Sequence, residues 1–208
     1  MAPAPLSQPM SLSLFASGAP TLATNASIAR VDLDARCWID LSNRWLLGAD
    51  ELLTQLLDTL PWTQGRRLMW GQWLDEPRLS AGVALTDRTR PAVLREMAAA
   101  LSDIYGICFD SCFCNYYRDG RDSVAWHGDR IGRTVLEPLV AIVSLGGPRQ
   151  FSLRPKGGGH AHSVLMHSGD LLVMGGATQH RWEHSIPKCH AAPPRVSVTF
   201  RHQASFAS

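Results

Sequence analysis

Two short patterns in this chain could do chemistry. The first is His127-Gly128-Asp129. Residues two apart on a strand point to the same face, so this imidazole and carboxylate can converge on one ion. Two histidines and one carboxylate on one face of an octahedron leave three positions open, as in non-haem Fe(II) oxygenases. The second histidine must come from elsewhere, and His184, in Trp182-Glu183-His184-Ser185, lies 57 residues downstream. By itself a His-x-Asp is a weak signal and is more often a surface pair.

The second pattern is Arg195-Val196-Ser197-Val198-Thr199-Phe200-Arg201. Strand alternation sets Arg195, Ser197, Thr199 and Arg201 on one face, with Val196, Val198 and Phe200 opposite. Two arginines and two hydroxyls on a buried face call for anions, and a dicarboxylate supplies two. A solvated face backed by a core face is the competing reading of this strand alone.

Other histidines offer competing ligand sets. His160-Ala161-His162 has the same parity and with His167 suggests a cupin, but no Glu follows at cupin spacing. His180 and His184 share a face only if their segment is helical, and it reads as the start of a strand. His160, His162, His167, His180, His190 and His202 are expected to be non-ligands. Cys108, Cys112 and Cys114 cluster without a second cluster to complete a zinc site, so they read as core strand residues.

The elements that position these residues are legible in part. Leu52, Leu53, Leu56, Leu57 and Leu60 fall at helical spacing between Ala49 and Leu60, and Pro61 follows. A second helix is expected over Pro91–Tyr105, with Gly106 as its stop. After Gly106 come short β-rich runs: Cys108–Tyr117, Ser123–Asp129, Leu139–Leu145, Gln150–Arg154, Ser163–His167, Asp170–Met174 and Arg195–Arg201. Many short strands with turn signals suggest a sandwich or barrel, with two leading helices covering one sheet. Residues 1 to about 30, rich in Ala, Ser, Pro and Thr, are expected to be disordered or loosely packed. Lys156–His160, with three consecutive glycines, reads as a mobile loop.

Composition restricts the function classes. The 208 residues suit one domain, and no apolar run approaches the ~20 residues needed to span a bilayer. Five cysteines at irregular spacing fit a reducing compartment, and a cytoplasmic location is expected. Residues 1–60 hold three Arg and six acids; the rest hold 17 basic and 12 acidic residues, and 18 of all 20 basic residues are Arg. Arginine grips phosphate bidentately, so a nucleic-acid partner is permitted without being required. Nothing asks for more than a monomer.

Taken in order, Asn115-x-Tyr117-x-x-Gly120, His127-x-Asp129, His184 and Arg195-x-x-x-x-x-Arg201 resemble the AlkB family of nucleic-acid demethylases. Ser144-Leu145-Gly146, Gly169-Asp170-Leu171-Leu172-Val173-Met174-Gly175-Gly176 and His184-Ser185-Ile186-Pro187 are similar too. The likeness is close from about Cys108 to Arg201 and weaker from about Ala49. It implies an α+β, mainly β fold: a double-stranded β-helix, or jelly roll, over residues 108–208. Residues 31–107 would then supply N-terminal helices packed on one sheet and a substrate-recognition hairpin.

The resemblance further implies that His127, Asp129 and His184 bind Fe(II). Asn115 and Arg201 would hold the C1 carboxylate and keto end of 2-oxoglutarate; Tyr117 and Arg195 would hold its distal carboxylate. Ser197 stands where many members carry Asn and can still donate a hydrogen bond. The implied reaction uses O₂ to demethylate 1-methyladenine or 3-methylcytosine in single- or double-stranded DNA, with RNA as the alternative polymer. Succinate, CO₂ and formaldehyde are released, and the base must leave the stack to react. Hydroxylation or demethylation of a protein or lipid is the rival reading.

Substrate contacts are expected from Arg66-Arg67-Leu68-Met69-Trp70-Gly71-Gln72-Trp73, where Met69 and Trp70 are wedge candidates and burial of both tryptophans under a hairpin is the alternative. Arg118, Arg121, Arg130 and Arg133 are candidate phosphate clamps, as are Arg154 and Lys156. The chain departs from the family at Ser80-Ala81-Gly82-Val83, where an aromatic often stands, and at Ile131, where an acid often stands.

Overall fold

The structure, a computed structural model, describes residues 18–69, 71–129 and 135–202, with Met69 described by its backbone alone. Two β-sheets face each other. The major sheet has eight strands in the order β2 (Ala29–Asp34), β3 (Cys37–Ser42), β12 (Leu171–Gly176), β9 (Val140–Gly146), β14 (Arg195–Arg201), β7 (Ser111–Tyr117), β6 (Gln72–Val83) and β5 (Thr63–Met69). The minor sheet has four: β11 (His162–Met166), β10 (Arg149–Pro155), β13 (Trp182–Ile186) and β8 (Val124–His127). The short pair β1 (Thr21–Leu22) and β4 (Leu46–Leu47) stands apart. This is a jelly roll.

Period-two alternation divides the major sheet between two cores. Ala141, Val143 and Leu145 of β9, with Val196, Val198 and Phe200 of β14, pack outward against α1 (Ala49–Thr59) and α2 (Ala92–Tyr105). The helices return Leu52, Leu53 and Leu56, and Val93, Leu94, Met97 and Leu101, all buried. Val140 and Ile142 of β9 and Leu172 and Met174 of β12 point inward, where they meet Phe151, Leu153 and Ile186 of the minor sheet. Cys112 and Cys114 lie free in the helix-side core, as core residues, whereas Cys108 is exposed and precedes β7, so it is not a core strand residue.

Helix α2 starts at Ala92, with Pro91 as its N-cap, and ends at Gly106, whose φ of 67° suits a residue without Cβ. Gly48 caps α1 at φ 65°, and a Cβ there would strike the Gly18 carbonyl oxygen. Both helices and all the expected strands form, with ends shifted by a few residues.

The N-terminal stretch differs from expectation. Thr21–Leu22 pairs with Leu46–Leu47, and Ala29 and Arg30 already belong to β2. Arg30 bonds Asp40 through two 2.8 Å contacts, and Asp40 also accepts from the Tyr105 hydroxyl at 3.0 Å. A buried carboxylate thus fastens β2 and β3 to the end of α2. These strands are short and mix charged with apolar residues, so no period marked them. The rest of the expected tail, residues 1–17, lies outside the described residues.

Candidate active site

His127 and His184 are partners across the β8–β13 ladder, where the register shifts beside His184. Their ring centroids are 4.3 Å apart. Asp129 follows just beyond the end of β8, and one ligand atom from each of the three residues lies within 4.8 Å of the other two. Among the described residues this is the one grouping of His, Cys, Asp or Glu that could hold a metal.

The chemistry of the donors fits Fe(II). His127 Nδ1 is 2.9 Å from the Ala125 carbonyl, so it must donate there, leaving the Nε2 lone pair free. Burial pushes His184 down to about 3, against the pull of Asp129, so its imidazole is neutral and able to ligate. Phe151 stacks on its ring at 5.3 Å. Burial opposes ionisation of Asp129, but the Arg201 guanidinium, by its charge and its hydrogen bond, leads the groups that hold the carboxyl below its usual range. Asp129 Oδ1 accepts from Arg201 at 2.6 Å, while Oδ2 lies 3.9 Å from His184 Nε2. One carboxylate oxygen is therefore occupied and the other faces the metal position.

The triad opens into a cavity of about 570 Å³ between the sheets. Arg195, Ser197, Thr199 and Arg201 all line it, as the alternation of β14 requires, and so do Asn115 and Tyr117 of β7. Arg195 is fully buried. Its Nε donates to Ser144 Oγ at 2.9 Å and its guanidinium lies over the Tyr117 ring, yet both Nη atoms have no partner. A buried cation with two free donor nitrogens is costly unless an anion meets it. The distal carboxylate of 2-oxoglutarate matches that demand.

Several residues at this site were not singled out from the sequence. Arg78 of β6 lines the cavity, and its Nε donates to Asn115 Oδ1 at 3.0 Å, which leaves the Asn115 NH₂ free to donate inward. Phe113 and Phe151 form apolar walls. Phe113 is two residues before Asn115, so parity along β7 could have found it. Arg78 could have been found only by pairing β6 with β7, which sets Ser80 opposite Asn115.

The expected substrate contacts fare unevenly. Arg118 spends its guanidinium on Asp122, at 2.7 and 2.9 Å, and Arg121 pairs with Asp119. Arg154 pairs with Glu183 at 2.6 Å and lies over Trp126, and Lys156 Nζ donates to the Gln179 carbonyl. All four therefore have protein partners in this structure, with Arg121 itself 88% exposed. Trp70, Arg130, Ile131, Arg133 and the Met69 side chain lie outside the described residues. The hairpin expectation is met by β5–β6, where Leu68 faces Trp73 across the ladder. Trp73 is 60% exposed, so it is no core residue. At the departure from the family, Ala81 and Val83 pack toward the helices, and a Cβ on Gly82 would meet nothing within 4 Å. The residues of this stretch on the face opposite the helices, Ser80 and Gly82, are paired with Asn115 and Phe113 and include no aromatic.

The model of the "2OG-Fe(II) oxygenase superfamily" matches residues 79–201. The chain belongs to this superfamily. Within it the chain is 34% identical over 177 residues to human "Alpha-ketoglutarate-dependent dioxygenase alkB homolog 3", covering 74% of this chain and 61% of that protein. It is 29% identical over 191 residues to human "DNA oxidative demethylase ALKBH2", covering 78% and 73%. The AlkB resemblance read from the motifs thus has homologues behind it. Two solved structures share the fold: "The structure of OsALKBH1" and a prolyl hydroxylase from Trichoplax adhaerens. Each has a TM-score of 0.54 at 13% identity, covering 84% of this chain and 100% of the first, and 74% and 78% for the second. As in other members of the superfamily, Fe(II), 2-oxoglutarate and O₂ are the cofactor set to which the triad and Arg195 correspond.

Proposed function

We propose that this oxygenase removes N-methyl groups from alkylated nucleic-acid bases, 1-methyladenine and 3-methylcytosine, in DNA. The observation that carries the reading is the union, in one cavity, of the His127/Asp129/His184 triad and the unpaired buried guanidinium of Arg195. The printed names of the relatives supply the substrate class. The aligned part of the chain spans about three-fifths of the alkB homolog 3 protein, so activity, substrate and partners rest on this proposal.

Each side chain has a distinct task. His127, Asp129 Oδ2 and His184 would hold Fe(II), and Arg201 keeps the second Asp129 oxygen occupied. Arg195, backed by Ser144 and Tyr117, would take the distal carboxylate of 2-oxoglutarate, while Asn115 and Arg201 take its keto-acid end. Bound together, iron and 2-oxoglutarate supply the oxidation of a C–H bond by O₂, with release of succinate and CO₂. The hydroxymethyl group so formed on nitrogen leaves as formaldehyde. Ile142, Phe151 and Ile186 wall the cavity with hydrocarbon, which keeps water from the reacting groups. Arg67 and Arg78 also line the cavity and a second hollow of about 410 Å³ beside it, along the β6 stem. A phosphate flanking an unstacked base would find the exposed Arg67 guanidinium there, whereas Arg78 is held by Asn115 and, at 3.0 Å, by Glu76.

The β5–β6 hairpin is the natural contact for the polymer, with Leu68 56% and Trp73 60% exposed. Strand parity puts Arg67 and Leu74 on one face of the hairpin and Leu68 and Trp73 on the other. A one-copy protein in a reducing compartment completes the proposal, in keeping with five free cysteines.

Succinate formation tests the reading. A single-stranded oligonucleotide carrying one 3-methylcytosine is expected to stimulate it many-fold over the unmethylated strand, and His127→Ala to abolish it. Stimulation by a peptide or lipid, with none by any alkylated strand of DNA or RNA, would move the substrate out of nucleic acid.

A further inference from the structure

The bend that carries Asp129 is held by residues that neither bind metal nor line the cavity. Gln179 sits in α3 (Thr178–Arg181), one turn between β12 and β13, five residues before His184. It is 2% exposed. Its Oε1 accepts from the Asp129 backbone N–H at 3.1 Å, and its Nε2 reaches Met174 Sδ at 3.4 Å. A buried glutamine amide costs free energy unless paired, and here both ends are used.

A second contact closes on the same bend from outside. Lys156 Nζ donates to the Gln179 carbonyl at 3.0 Å. A Cβ on Gly128 would lie 3.3 Å from that carbonyl oxygen and 3.5 Å from Lys156 Cε and Nζ. Gly128 is therefore packed against both the Gln179 backbone and the lysine stem. The turn bearing Gln179 is itself anchored. Thr178 Oγ1 accepts from Trp38 N at 3.2 Å and donates to the Gly175 carbonyl, and Lys156 N bonds the Arg181 carbonyl at 2.9 Å.

We propose that Gln179, secured by Lys156, is a positioning residue for the metal centre: it fixes the Gly128–Asp129 peptide so that the Asp129 carboxylate is set opposite the two histidines. Asp129 lies past the last ladder residue of β8, so the β8–β13 pairing does not by itself hold its peptide. One short turn thereby ties the Asp129 ligand to the strand that carries His184. Lys156 is spent on this bridge and is not free for phosphate.

The test is metal binding by the full-length protein, without 2-oxoglutarate or nucleic acid, so that it stands apart from the substrate proposal. Co(II) serves as a redox-stable probe, titrated through its visible absorption, and exchange of the Asp129 amide proton is followed in the apo protein. Gln179→Leu is expected to raise the Co(II) Kd about tenfold or more, in the range known for groups that orient metal ligands. Its Asp129 amide is expected to exchange faster. Met174→Leu, which removes only the sulfur partner, is expected to leave both readouts near wild type. Lys156→Met keeps the stem, lies at the surface, and is expected to weaken Co(II) binding by a few-fold. A folded Gln179→Leu with wild-type Kd and amide protection would overturn the proposal. If that variant does not fold, an unchanged Kd in Lys156→Met overturns it instead.

Discussion

The inner face of β14 and the β5–β6 hairpin belong to the same sheet and both rely on arginine, yet burial gives the residue opposite meanings. On β14, Arg195 is fully enclosed, with two donor nitrogens unpaired, and Arg201 is bonded to a metal-ligand carboxylate. On the hairpin, Arg66 and Arg67 are more than half exposed and face Asp75 and Glu76 at 3.2 and 3.7 Å. Exposed ion pairs of that kind are worth about 0–1 kcal/mol, so they exchange partners readily. The enclosed strand dictates its ligand, while the hairpin can trade protein carboxylates for phosphates. Chemistry and recognition are thus divided between the middle and the edge of one sheet.

Substitutions can break this division. His127→Ala is expected to have the largest effect, eliminating succinate formation with any substrate. Arg195→Met should raise the KM for 2-oxoglutarate about 100-fold or more, since truncating one member of a buried charge pair costs about 3–5 kcal/mol. A steady-state titration with 2-oxoglutarate measures this, and an unchanged KM would mean that the guanidinium meets no carboxylate. On the hairpin, Trp73→Ser should raise the KM for a methylated oligonucleotide by about five- to tenfold, the scale of one lost stacking contact. Its succinate formation without nucleic acid should stay as in wild type. Equal loss in both assays would show that the hairpin shapes the catalytic cavity after all.

The smallest effect on turnover is expected from Arg118→Ala. Asp122 is 4% exposed and takes three hydrogen bonds from Arg118, two from the guanidinium and one from its backbone N–H. Removing the guanidinium should cost about 1–3 kcal/mol of stability, read by thermal unfolding, with oligonucleotide KM nearly unchanged. A weakened KM at constant stability would restore Arg118 as a phosphate contact.

Legibility in the sequence follows the same division. The His-x-Asp pair was found by its donor types, since Asp129 lies beyond the end of β8. Period-two spacing exposed the β14 face, because one side of that strand must meet the helix-side core. Helical spacing placed α1 and α2 for the same reason. Strands β2 and β3 escaped notice because they mix charged with apolar residues, and their link to α2, Asp40 to Tyr105, spans 65 positions. Arg78 and Gln179 escaped for a related reason. Each acts on a residue about 40–50 positions away, Asn115 and Asp129, and only the folded chain brings them together. The positive charge around the metal strand suggested phosphate clamps; left out of that expectation was the aspartate that Arg118 and Arg121 each have within four residues as a partner.

The most direct test is the mass of a single-stranded oligonucleotide carrying one 3-methylcytosine, after incubation with the protein, Fe(II), 2-oxoglutarate and ascorbate. The expected product is lighter by one CH₂ unit, forms only with 2-oxoglutarate present, and is absent with His127→Ala. An oligonucleotide of unchanged mass, while 2-oxoglutarate is still consumed to succinate, would contradict base demethylation of this lesion and leave only the iron chemistry standing.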